Sequence, residues 1–194
     1  MAAEIPAEIT AEGGLPPVDV ETMPGPVGDA LRAAPARLHI IAMMAHAETC
    51  VLPQLGLGRA VMTAQSLPPL RRELLILLAA RMDGAQYVWS QHRRIAEGLG
   101  ATPAMVAAVE TLQLCSGEFD ESDRALLAFG RQVIRGGPVE DQVLERVACH
   151  LTAQEIVEAI LAIGYYMTMN RITLATRTPL EPGAADAAMR AGRS

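Results

Sequence analysis

The spacing of apolar positions along this chain is helical almost throughout. Leu31, Leu38, Ile41, Ala42 and Ala45 predict an amphipathic helix from Asp29 to about Ala47, bent or broken near Pro35. A short helix is expected around Leu52–Leu57. The run SLPPLRRELLILLAARMDG predicts a helix from Pro69 to Met82, with proline at its start and Gly84 just beyond its end. A second helix follows from Ala85 to Leu99, stopping near Gly98 and Gly100. Thr102 and Pro103 supply an N-cap and a first-turn proline for Ala104–Leu112. Asp120 opens Ser122–Ile134, which ends at Gly136 and Gly137, and a shorter helix covers Pro138–Cys149. Thr152 and Glu155 form a capping box for the longest helix, which reaches about Ala175 and carries Ile156, Ile160, Ile163, Met167 and Leu174. A helix apolar over so much of its surface suits a core centre or a subunit interface. No segment clearly alternates with period two, so the expected fold is all-α, with about seven or eight helices.

Both ends read differently. Residues 1–27 are rich in Pro, Gly, Ala and acidic residues and predict a flexible or extended arm. Residues 181–194 predict a similar tail, leaving 28–180 as the helical domain.

Composition strengthens the helical reading. Hydrophobic residues make up 51% of the chain but aromatic ones only 3%. The core is therefore built from Ala, Leu, Ile, Val and Met, which favour helices over a sandwich. The net charge of −6 offers no basic footprint for nucleic acid. No apolar run is long enough to span a membrane, and no basic start followed by an apolar stretch marks a secretory signal. Cys50, Cys115 and Cys149 are an odd, widely spaced set that forms neither a disulfide framework nor a CxxC pair, so a cytoplasmic location is expected. All 16 basic residues are arginine, which excludes lysine-dependent imine or phosphate chemistry.

Polar groups on apolar faces give the candidate chemistry. Glu73 shares its stripe with Ile76, Leu77 and Ala80, where a carboxylate needs a partner. The alternative is a solvated first-turn glutamate favoured by the helix dipole. His92 lies on a face with Ala85, Val88, Ala96 and Leu99, where desolvation favours the neutral imidazole that a base requires. A hydrogen-bonded core histidine is the alternative. Tyr87, Trp89 and Gln91 flank it as a pocket wall or a packing anchor. Arg71 and Arg72 are candidates to clamp a substrate carboxylate, or surface residues. His39, His46 and His150 lack metal-ligand spacing, and the chain contains no nucleophile elbow, dinucleotide fingerprint or P-loop. No metal and no cofactor is expected.

The segment LRRELLILLAARMDGAQYVWSQHRRIAEGLG, with FDESDRALLAFGRQVI and LTAQEIVEAILAIGYYMTMNRI, resembles the carboxymuconolactone decarboxylase/AhpD-like alkylhydroperoxidase superfamily. The resemblance covers roughly 30–180 and implies a multi-helix domain of that fold. The peroxidase branch carries a glutamate, a CxxC pair and a histidine; these positions fall on Glu73, Ala85, Val88 and His92 here, with Tyr87 at a second relay histidine. The acid–base pair is kept and the redox pair is missing. The decarboxylase branch, which handles a carboxylated lactone without a redox cofactor, is the better likeness.

The resemblance therefore implies a cofactor-free decarboxylase, isomerase or dehydratase acting on a small carboxylate, lactone or carbonyl. In it His92 moves the proton, Glu73 orients the imidazole or relays through water, Arg71 or Arg72 binds a carboxylate, and Tyr87 or Gln91 steadies an enolate-like oxygen. A homo-oligomer, trimer or hexamer, is also implied. A non-catalytic ligand-binding or structural oligomer is the alternative. A thiol peroxidase requires Cys50, Cys115 or Cys149 to fold beside His92.

Overall fold

The computed structural model describes residues 13–34 and 38–182; Pro35 and the outer parts of the expected arm and tail lie outside the described residues. Among these residues there are helices and no strand, in the order α1 (Gly25–Arg32), α2 (His39–Met44), α3 (Glu48–Thr63), α4 (Pro69–Asp83), α5 (Gln86–Gly98), α6 (Pro103–Glu110), α7 (Glu121–Arg135), α8 (Asp141–Ala148) and α9 (Ala153–Thr176). No single helix among them is long and apolar enough to cross a membrane.

The chain divides into two compact units, one of residues up to Gly56 and from Arg171 onward, the other of Leu57–Asn170. In the first, the predicted opening helix is two helices, α1 and α2. Leu15 donates its amide to the Thr176 carbonyl at 3.0 Å, and Val18 to that of Ala42 at 3.2 Å. His46 Nε2 lies 2.8 Å from the Pro16 carbonyl, and His39 Nδ1 lies 3.1 Å from that of Pro179, so both histidines bind local backbone.

The second unit carries the site. Its centre is α4, in which every residue from Arg72 to Ala80 is buried, and which packs against α5, α6 and α7. Proline opens it, and Gly84 closes it at φ 72°, a left-handed cap that favours glycine. Gly130 lets α7 approach closely: a Cβ there would lie 2.5 Å from Leu75 Cδ2. The predicted caps are in place. Thr102 accepts from the Met105 amide at 3.1 Å and Asp120 from that of Asp123 at 2.7 Å. Thr152 and Glu155 exchange the two bonds of the capping box, at 3.2 and 2.8 Å.

Two expectations change. The short helix around Leu52–Leu57 is a 16-residue helix, α3, which contains Pro53. Proline and the glycines at 56 and 58 weaken its propensity, but tertiary packing overrides that: Gly58 lies under the phenol of Tyr165, with no room for a Cβ. In α9, Ile163 is buried but Ile160 and Leu174 are exposed, as are Val157 and Leu161. The helix is buried along one stripe only.

Candidate functional site

Glu73 sits in the first half of α4 and His92 near the middle of α5, on helices joined by the tight turn at Gly84. Glu73 is completely buried, which rules out the solvated first-turn glutamate, and His92 retains 7% exposure. Across 19 residues of sequence, His92 Nδ1 meets Glu73 Oε2 at 2.7 Å. An ionised carboxylate only accepts, so with Glu73 charged the proton lies on Nδ1 and Nε2 is the acceptor nitrogen. Among the described residues no group hydrogen-bonds Nε2, and it is not one of the fully enclosed polar atoms left without a partner. Among the described residues it is therefore the ring nitrogen without a partner, on a side chain that is 9% exposed.

The neighbouring Arg72 has 5% of its side chain exposed, and its Nε lies 3.6 Å from Glu73 Oε1. That is ion-pair distance, beyond hydrogen-bond length, and neither atom has a hydrogen-bond partner. Arg72 thus supplies counter-charge to a buried carboxylate, which would otherwise be prohibitively costly to desolvate. Arg71 is engaged elsewhere. Its Nε donates to Asp123 Oδ1 at 2.8 Å and a terminal nitrogen approaches Asp120 at 3.5 Å, tying α4 to the start of α7.

Of the aromatic and amide flankers, Tyr87 is buried at 5% exposure and Gln91 is half-buried. Trp89 lines a surface cavity of about 240 Å³ with Ala80, Arg81, Gly84, Ala85, Gln86 and Glu110. None of Glu73, Tyr87, Gln91 and His92 lines that cavity. The expected face Ala85, Val88, His92 and Ala96 is buried, whereas Leu99, past the helix end, is 41% exposed.

Sequence reasoning missed Tyr166. This α9 residue stands edge-on to His92, ring centroids 4.4 Å apart at 75°, and Tyr165 packs edge-on to it at 5.1 Å. Its hydroxyl donates to Met62 Sδ at 3.2 Å. Burial pushes the Tyr166 phenol far above its ordinary value, and the negative charge of Glu73 adds to the effect, so it remains a donor. A tyrosine in an apolar helix reads as core, and only the contact of its ring with His92 reveals its place.

The arrangement is suited to proton transfer. In such an arrangement Nε2 can accept a proton from a carbon acid or a water, and Glu73 can stabilise the resulting imidazolium through Nδ1–H until the proton is returned. Thiol chemistry has no such support. Cys50, Cys115 and Cys149 are free and exposed, and Ala85 and Val88 stand where the resemblance places the redox pair. Among the described residues no group of three His, Cys, Asp or Glu side chains is placed to hold a metal.

Comparison with known proteins gives a consistent picture. Residues 55–129 match the carboxymuconolactone decarboxylase family. No curated protein matches the chain in sequence. Among solved structures, an uncharacterised peroxidase-related protein with an AhpD core from Ralstonia eutropha JMP134 is similar at TM-score 0.75 and 15% identity, over 87% of this chain and 92% of that one. An Agrobacterium tumefaciens protein of unknown function, described as a putative AhpD antioxidant defence protein, gives 0.66 and 21%, over 71% and 94%. The debrominase Bmp8, as a variant in complex with 2,3,4-tribromopyrrole, gives 0.67 and 20%, over 78% and 80%. These likenesses establish the fold. The chain thus has the all-α fold of these AhpD-like structures, and its residues 55–129 are similar to the carboxymuconolactone decarboxylase family.

Proposed function

We propose that this protein is a cofactor-free acid–base enzyme acting on a small carboxylate, lactone or carbonyl compound, with His92 as the proton-transfer residue and Glu73 as its positioning residue. The observation that carries the reading is the 2.7 Å contact between His92 Nδ1 and the fully buried Glu73, which supports Nε2 as the base. Decarboxylation, isomerisation and dehydration all begin or end with a proton moved at carbon, and one base supports each. The family match over 55–129 supports a small-molecule substrate. Ala85 and Val88, with no CxxC pair in the sequence, argue against the peroxidase reading carried by the names of structural neighbours.

Self-association is part of the proposal. Val157, Ile160 and Leu161 expose 54%, 42% and 48% on α9, an apolar strip suited to burial against another copy.

The test is proton exchange. Small carboxylated lactones and keto acids in deuterated water, followed by proton NMR, should show enzyme-dependent carbon deuteration or loss of carboxylate. Folded His92→Gln protein should show none. Undiminished exchange in that variant would overturn the assignment, and silence of the wild type across the panel would favour a ligand-binding role.

A further inference from the structure

We propose that the cavity at the turn between α4 and α5 is a binding site for a small organic carboxylate that carries a hydrogen-bond donor at its other end, with Arg81 and Glu110 as its two polar contacts. The site is separate from the Glu73–His92 pair, whose residues do not line the cavity.

Arg81 is exposed in the last turn of α4. Its Nε donates to the Glu110 carbonyl at 2.5 Å, at the end of α6. That bond fixes the guanidinium plane and satisfies one orphan carbonyl of the helix end. The two terminal nitrogens remain uncommitted: among the described residues no carboxylate lies within ion-pair distance of Arg81. Arg32, Arg71, Arg72 and Arg93, by contrast, each have an acidic partner within 4 Å. A planar guanidinium held at Nε, with free terminal donors, presents a fork matched to a carboxylate.

The second polar group is Glu110, a residue of the same cavity lining whose carboxylate has no ion-pair or hydrogen-bond partner among the described residues. Two opposite charges share one cavity without pairing to each other. A ligand with an anionic end for Arg81 and a hydroxyl or ammonium end for Glu110 satisfies both.

The remaining lining sets the body of the ligand. Trp89, Ala80 and Ala85 are apolar, and each is less than a tenth exposed. The volume of about 240 Å³ lies below the roughly 300–1,000 Å³ of pockets for drug-sized ligands, so the occupant is small. Gly84 keeps the rim low, since nothing lies within 4 Å of the place a Cβ would take.

Trp89 is the only tryptophan in the chain and lines this cavity, so its fluorescence reports on occupancy there. The full-length protein is titrated with 4-hydroxycyclohexanecarboxylate, transparent at tryptophan wavelengths, and with its neutral counterpart 4-(hydroxymethyl)cyclohexanol. The expected result is a saturable emission change with the carboxylate and at least about tenfold weaker binding of the alcohol. Arg81→Gln should weaken the carboxylate by about tenfold or more, and Arg81→Lys should restore part of it. Glu110→Gln should weaken it less, and His92→Gln should leave it unchanged. Equal affinity for the two compounds in the wild type would overturn the proposal whether or not the Arg81 variants fold. So would an emission change that never saturates, or an unchanged affinity in folded Arg81→Gln protein.

Discussion

The ring of Tyr166 stands edge-on to the imidazole of His92, with centroids 4.4 Å apart at 75°. One face of the histidine is thereby fixed by a rigid aromatic from α9, while its Nδ1 is fixed by Glu73. A ring held at two points has little freedom to turn, and Nε2 is presented in one direction.

Tyr166→Phe keeps the edge contact and loses only a hydrogen bond to a thioether, a weak acceptor, so exchange activity should stay within about threefold of wild type. Tyr166→Leu removes an aromatic pair worth roughly 0.5–1.5 kcal/mol and frees the imidazole. Activity should fall about tenfold, and the His92 ring resonances should broaden in NMR spectra. Sharp, unshifted resonances in the leucine variant would show that Tyr166 does not position the ring.

His92→Ala should abolish turnover and also carry a stability cost. It strands a fully buried carboxylate with Arg72 alone, 3.6 Å away and without a hydrogen bond. Breaking a buried pair from one side typically costs about 3–5 kcal/mol. Urea unfolding of His92→Leu, Glu73→Leu and the double variant should give a double-mutant cost well below the sum of the singles. Additive costs would mean that the two groups are not energetically coupled.

Replacing Cys50, Cys115 and Cys149 together by serine should leave proton exchange at wild-type level, since each is on the surface. Surface substitutions of this kind shift stability by about 0.5 kcal/mol or less. Loss of activity in the folded triple variant would return a thiol to the mechanism.

Glu158 supplies a pH-dependent tie within the second unit. Its carboxylate accepts from the Leu67 amide at 2.8 Å and from Gln154 at 2.9 Å, and its carbonyl accepts from Gln65 at 3.0 Å. Desolvation acts to raise its pKa, but the bonds from Gln154, Leu67 and Ser66 outweigh it and hold the group below its ordinary 4.5. A carboxyl depressed on folding stabilises the native state above its unfolded pKa, and this is lost as pH falls through the folded value. Glu158→Gln should therefore be less stable than wild type at pH 7, with the gap closing below about pH 4. A gap that does not narrow with falling pH would locate the effect in packing rather than charge.

The sequence made the helical frame legible where local chemistry dictates it. Pro69 and Gly84 bracket α4, and Thr102, Asp120 and Thr152 mark three helix starts, because caps act over a few residues. α3 was obscured because Pro53, Gly56 and Gly58 suppress its local signal while its packing comes from Tyr165, distant in sequence. Glu73 and His92 were legible as polar intrusions on apolar faces. The role of Arg72 was not: adjacent arginines at a helix start read as surface, and its burial arises from the helices around α4. Tyr166 was hidden for the same reason, since its partner lies on another helix.

The enclosure of α4 carries a dynamic consequence. Because every residue from Arg72 to Ala80 is buried, no partial fraying of the second unit brings the backbone around Glu73 into contact with water. The amide protons of this stretch should exchange with solvent only through opening of the whole unit, and so be among its slowest. The carboxylate that steadies His92 is thus mounted on the part of the unit expected to open last, and a ligand reaching His92 would be accommodated by the surrounding helices rather than by the helix that holds Glu73.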